Sequence, residues 1–343
     1  MQTIHYFAGG NTAQGFHSCF RDLLPLPQRK RMFYLKGGPG VGKSTLMKRL
    51  AAAEEEKGVR TEYFHCSSDP ESLDGAAFPE WGIGIMDATA PHSDDPVIPG
   101  ARDTLIALGD FLDEDALRPY VHEISGVQEA ISARFARCYR YLAAAAEVLQ
   151  AVPAPCEDER KTEQLADTWA HSLPLRGGRG SIRRLFASAF TPKGLVTVTD
   201  FSLMERCAKV DCPFGSHASG LMQAIARRAA GRGLDVIELA DPLLPDRTAH
   251  VLIPAHGTAF CTGRRTPDSA GEWIDSRQVF DREVPENQEQ GFDRNAYELL
   301  CQRAVEQLMQ AKALHDDLES YYVKHMDFLK WQQVLEKLLK MVS

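Results

Sequence analysis

Apolar residues in this chain form short blocks, and between the first two of them lies a stretch with helical spacing. Residues 32–36, 61–65 and 83–86 are apolar runs bounded by glycine, proline and polar residues, which predicts strands, while 44–57 predicts a helix. Strands alternating with helical segments point to an α/β fold with mostly parallel sheets flanked by helices. Two much longer helical stretches follow. Over 119–150 the apolar positions Val121, Ile124, Val127, Ile131, Phe135, Cys138, Tyr139 and Leu142 keep to one face. Over 297–341 Leu300, Ala304, Leu308, Ala311, Leu314, Leu318, Tyr321 and Tyr322 do the same. One long helix is expected in each place, with its stripe buried.

The pattern occurs twice. At a constant shift of 175 residues Leu46-Met47 falls on Leu221-Met222, Gly58 on Gly233, Pro79 on Pro254 and Gly82 on Gly257. Upstream, Phe7-Ala8, Thr12 and Gly15 match Phe186-Ala187, Thr191 and Gly194 at a shift of 179. A repeat of this length predicts two copies of one architecture, each with long helices at its end. Proline and glycine in Ala151-Val152-Pro153-Ala154-Pro155 and in Pro174-Leu175-Arg176-Gly177-Gly178-Arg179-Gly180 break the chain between the copies. The expected domains are 1–178 and 179–343.

Composition narrows the classes. At 343 residues with 44% apolar content the chain can build two cores. No apolar run approaches the length of a membrane span, and Met1-Gln2-Thr3-Ile4-His5-Tyr6 has no charged region leading into an apolar one, so a cytoplasmic protein without membrane contact is expected. The eight cysteines contain no C-x-x-C pair, and His65-Cys66 has no second ligand pair beside it, which argues against a metal there. A net charge of −8 opposes a general nucleic-acid surface.

The strongest chemical signal is Gly37-Gly38-Pro39-Gly40-Val41-Gly42-Lys43-Ser44-Thr45, which fits G-x-x-x-x-G-K-[ST] between a strand and a helix. Glycines let backbone N–H groups wrap a triphosphate closely, and the helix N-terminus adds its positive dipole end. Lys43 would meet the β- and γ-phosphates, and Ser44 would give its hydroxyl oxygen to Mg²⁺. Asp87, which ends the strand 83–86, is placed like a Walker B aspartate that holds the same ion. ATP and Mg²⁺ are the implied ligands. In the second copy Lys43 becomes Ala218, Gly42 becomes His217 and Asp87 becomes Thr262. That copy is therefore expected to keep its fold without binding nucleotide.

Other residues are weaker candidates. In the segment His65-Cys66-Ser67-Ser68-Asp69, Asp69 is expected to position an attacking water or a substrate hydroxyl, with Glu71 and Asp74 as alternatives. Arg176, Arg179, Arg183, Arg184 and Arg118 are candidate contacts to a γ-phosphate, and Glu54-Glu55-Glu56 reads as a solvated helix face.

The chain resembles a family of bacterial ATPases or ATP-binding proteins built from two P-loop NTPase-like repeats. The resemblance rests on Tyr6-Phe7-Ala8-Gly9-Gly10-Asn11-Thr12, on Leu35-Lys36 running through the glycine loop to Leu46-Met47, on His65-Cys66-Ser67-Ser68-Asp69 with Ser72-Leu73-Asp74-Gly75, and on Asp87-Ala88-Thr89-Ala90-Pro91-His92. It extends to His315-Asp316-Asp317-Leu318-Glu319 and Tyr321-Tyr322-Val323. It implies two tandem P-loop NTPase-like domains, the second degenerate here, and leaves the reaction open. Three functions follow: an Mg-dependent ATPase with a structural or regulatory second copy, a small-molecule or nucleoside kinase, or a nucleotide-gated binder of an unnamed protein or small molecule.

Overall fold

The computed structural model describes residues 3–92, 94–265, 272–283 and 287–342. In the first half the order is β1 (Ile4–Phe7), β2 (Gly9–Thr12), β3 (Gly15–Ser18), β4 (Arg31–Lys36), α1 (Lys43–Glu55), β5 (Glu62–Cys66), β6 (Asp69–Phe78), β7 (Ile83–Asp87) and β8 (Asp103–Ala107). The helices α2 (Glu114–Leu117), α3 (Val121–Ala151) and α4 (Glu159–Ser172) complete it. The second half repeats the order with β9 (Ile182–Leu185), β10 (Ser188–Thr191), β11 (Gly194–Thr197), β12 (Arg206–Asp211), α5 (Ser219–Gly231), β13 (Val236–Ala240), β14 (Thr248–Ile253), β15 (Thr258–Gly263) and β16 (Glu272–Ile274). It closes with α6 (Gln288–Val323) and α7 (Phe328–Val342).

Each half builds a six-stranded α/β sheet with the same topology, β1-β5-β6-β7-β4-β8 in one and β9-β13-β14-β15-β12-β16 in the other. The sheets are mixed, because β6 and β14 run antiparallel to both neighbours. The sequence reading missed β6. Only two residues separate β5 from β6, and a connection that short can close a hairpin but cannot cross over to a parallel strand. The hairpins β2–β3 and β10–β11 join across the molecule into a third, four-stranded sheet. Phe7 and Phe186 exchange backbone hydrogen bonds there at 2.9 and 3.0 Å, and Asn11 Nδ2 donates to the Phe190 carbonyl at 3.0 Å. Residues 179 apart thus meet, as the two halves of a pseudo-twofold would.

The long helices cross over. α3 packs against α6, while α4 covers α5 of the second sheet and α7 covers α1 of the first. Trp331, Leu335, Leu338 and Val342 bury one face of α7 against Leu46, Leu50 and their neighbours. Each such side chain contributes about 1.5–3 kcal/mol on burial. The segment read as one helix over 297–341 is two, broken between Val323 and Phe328, and the turn back onto α1 needs that break. On α3 only Cys138, Leu142, Ala145 and Ala146 are fully buried, and Val121 is exposed, because a single partner helix cannot cover the whole stripe.

Two further expectations are corrected. Glu54 is buried and bonded to Lys57, and Glu55 accepts from Tyr63, so the acidic run is not a uniformly solvated face. Arg183 is buried on Glu62 at 2.8 Å, and Arg184 pairs with Glu238 at 2.8 Å. Both arginines are committed to holding strands together. Arg118 pairs with Glu114 and Asp115 on the surface.

Candidate functional site

The site grows from the adjacency of β4 and β7. Their parallel register sets Leu35 beside Asp87, and the two chains leave the sheet together, with Ala88 N–H donating to the Leu35 carbonyl at 2.9 Å. The 37–45 loop then turns back into α1 through Gly40 (φ 73°) and Gly42 (φ 81°), a left-handed backbone that glycine adopts without strain. Lys43, the first residue of α1, donates from Nζ to the carbonyls of Gly37 at 2.7 Å and Gly38 at 2.8 Å. Its ammonium lies 3.5 Å from Asp87 Oδ2, with both side chains largely buried. Asp87 Oδ1 accepts from Thr89 N–H at 2.8 Å, which fixes the carboxylate. Ser44 Oγ accepts from Leu73 N–H at 2.9 Å, tying the helix start to β6.

The outside of the loop is covered by the far end of the chain. Tyr322 lies against Gly38, Val323 against Gly40, and the Trp331 indole N–H donates to the Gly42 carbonyl at 3.3 Å. A Cβ on Gly42 would stand 2.8 Å from Trp331 Nε1, so packing as well as φ demands glycine there. Val41 is buried beneath the loop, Pro39 is half-buried and Thr45 is exposed.

Three neighbouring strands bring a second group of side chains to this edge. A register shift at the end of β5 pairs His65 with Leu73 and Cys66 with Asp69, so that 70–72 bulge and both Cys66 and Asp74 are re-aimed. Asp74 is buried beside Cys66, and His92, from the turn after β7, approaches with Nε2 3.5 Å from Asp74 Oδ1. Burial pushes the Asp74 carboxyl above the usual range, a rise opposed by His92 and Lys43 and reinforced by Asp87. Burial likewise pushes the Cys66 thiol up, and the charge of Asp74 adds to the rise.

Lys43, Ser44 and Asp87 therefore come together with the 37–42 backbone. Asp69, at the head of β6, is engaged by Ser72 Oγ at 2.9 Å and by Lys312 Nζ at 3.7 Å. The acid that senses Lys43 and Asp87 is Asp74. His92 was not singled out as a functional residue from the sequence, where it is merely five residues past Asp87, after Ala88-Thr89-Ala90-Pro91.

In the second half the corresponding loop is occupied by a carboxylate from the segment before α4. His217 stands where Gly42 does and has no positive φ, and α5 begins at Ser219, one position later than α1. In the first loop Leu46 N–H donates to the Gly42 carbonyl at 3.0 Å; in the second, Leu221 N–H turns to Glu157 Oε1 at 2.8 Å and Gly220 N–H to Glu157 Oε2 at 2.8 Å. A carboxylate thus sits on the helix N-terminus. The paired bridges Leu112–Met326 and Glu157–Phe280 make Met326 the counterpart of Glu157, and Met326 packs with Val41 and Leu46 in the apolar core. Among the described residues no helix is long and apolar enough to cross a membrane. Scans against family models, curated proteins and solved structures find no match to this chain.

Proposed function

We propose that the 37–45 loop binds Mg-ATP and that the chain is an Mg-dependent ATPase working from its first half, as a P-loop NTPase-like unit, with the second half structural or regulatory. The observation that carries this is Lys43 Nζ 3.5 Å from Asp87 Oδ2 at the mouth of a glycine loop that starts a helix. A lysine, a hydroxyl and a carboxylate around backbone amides are the donor and acceptor set that a metal-bound triphosphate needs. Ser44 Oγ uses one lone pair on Leu73 N–H and keeps another, so Ser44 and Asp87 fit a hard cation's oxygen shell. The bound ion would neutralise phosphate charge. Asp74, buried within the field of Lys43 and Asp87, is the carboxyl placed to orient a water or hydroxyl by accepting its hydrogen bond.

A kinase is the second reading, because the same Asp74 would serve an acceptor hydroxyl equally well. Calorimetry with Mg-ATP, followed by phosphate release with and without a metabolite panel, separates the cases. One site per chain with acceptor-independent release supports the ATPase. Failure of both wild type and Lys43→Ala to bind nucleotide would overturn the reading.

A further inference from the structure

Cys66, Asp74 and His92 arrive from β5, β6 and the turn after β7, and their sulfur, oxygen and nitrogen atoms all lie within 4.8 Å of one another. We propose that these three side chains form a binding site for a thiophilic divalent cation of the zinc class, beside the 37–45 loop and separate from the oxygen ligands Ser44 and Asp87.

The distances favour coordination over an acid–base pair. His92 Nε2 and Asp74 Oδ1 are 3.5 Å apart, longer than the 2.7–3.2 Å of a good hydrogen bond. Two ligands of one tetrahedral zinc, with bonds of about 2.0–2.1 Å, stand about 3.4 Å apart. His92 is 9% exposed, and its Nδ1 is buried with no hydrogen-bond partner among the described residues. The atom that faces Asp74 is Nε2 rather than this Nδ1, and Nε2 too makes no hydrogen bond among the described residues, so it is Nε2 that is open to a cation. Phe16 and Phe20 wall the histidine from the other side, with ring centroids 5.4 and 4.5 Å away, so the site is shielded as well as polar.

The ligand set chooses the ion. Thiolate and imidazole select zinc or cobalt over magnesium, and three protein ligands leave one position for water or substrate, the pattern of reactive rather than purely structural zinc. Sequence spacing conceals the set, since the three residues are 8 and 18 apart and belong to no ligand motif.

The test uses the full chain, stripped with a chelator and titrated with Co²⁺ without nucleotide. One equivalent should produce thiolate-to-cobalt charge-transfer absorption that Zn²⁺ abolishes. Cys66→Ser should lose that band, and His92→Gln and Asp74→Asn should each weaken Co²⁺ binding at least tenfold while circular dichroism stays that of the wild type. No band in the wild type, or a band that survives in Cys66→Ser and so belongs to another thiol, would overturn the proposal. Because nucleotide is absent, neither result bears on the ATP reading.

Discussion

Two loops descended from one pattern, 37–45 and 212–220, sit at matching places in matching sheets and have opposite interiors. The first is lined by a lysine, a hydroxyl and a carboxylate from the adjacent strand; the second has Ala218 in place of the lysine and Glu157 bonded to its helix start. Anions stabilise a helix N-terminus wherever they come from. Here Glu157, from the segment that leads into α4, supplies one to the start of α5. The missing glycine contributes to the divergence: His217 does not take the left-handed turn of Gly42, α5 starts one residue later than α1, and the Gly220 and Leu221 N–H groups find their acceptor in Glu157.

The largest effect is expected at Lys43. Lys43→Ala should lower ATP turnover by about 10²–10³ while the equivalent change at Ala218→Lys restores nothing to the second loop. Wild-type turnover in Lys43→Ala would erase the distinction between the loops.

Glu157→Gln tests the plug itself. It should cost about 0.5–2 kcal/mol in urea unfolding, the value of a helix cap, without creating a second nucleotide site. A second calorimetric site in this variant would show that the carboxylate alone had closed the loop.

Trp331→Phe keeps the packing of α7 on α1 and removes the hydrogen bond to the Gly42 carbonyl, so it should cost about 0.5–1.5 kcal/mol of stability. Nucleotide affinity should fall with it. If affinity rose instead, the covering helix would be acting against the loop rather than supporting it.

The smallest effect concerns pH. Burial, aided by Arg247, holds His217 at about 4, so the folded loop keeps it neutral. Between its ordinary value of about 6.5 and 4 the unfolded chain takes up a proton that the folded chain refuses, so stability is complete above that window and declines as pH falls through it. His217 is half-exposed, and the decline attributable to it should be a few tenths of a kcal/mol. Urea midpoints at pH 7 and pH 5 for wild type and His217→Gln measure it; identical pH dependence in both would remove His217 from the account.

Much of this was legible in the chain. Hydrophobic spacing located β4, α1, β5 and β7 to within a residue or two, because local periodicity reflects which face of an element is buried. The glycine–lysine loop was legible because its chemistry uses contiguous residues. The antiparallel β6 was missed because its polar start, Asp69-Pro70-Glu71, looks like a loop until a neighbouring strand bonds to it.

What the sequence determined by itself, then, is the repeat, the α/β class and the lysine-bearing loop, all consequences of residues close together in the chain. Only the tertiary structure decided the exchange of α4 and α7 between the sheets, the meeting of Glu157 with α5, and the convergence of Cys66, Asp74 and His92. Each joins groups whose separation along the chain is unrelated to their distance in space, and which apolar face covers which helix is settled by the burial available across the whole molecule.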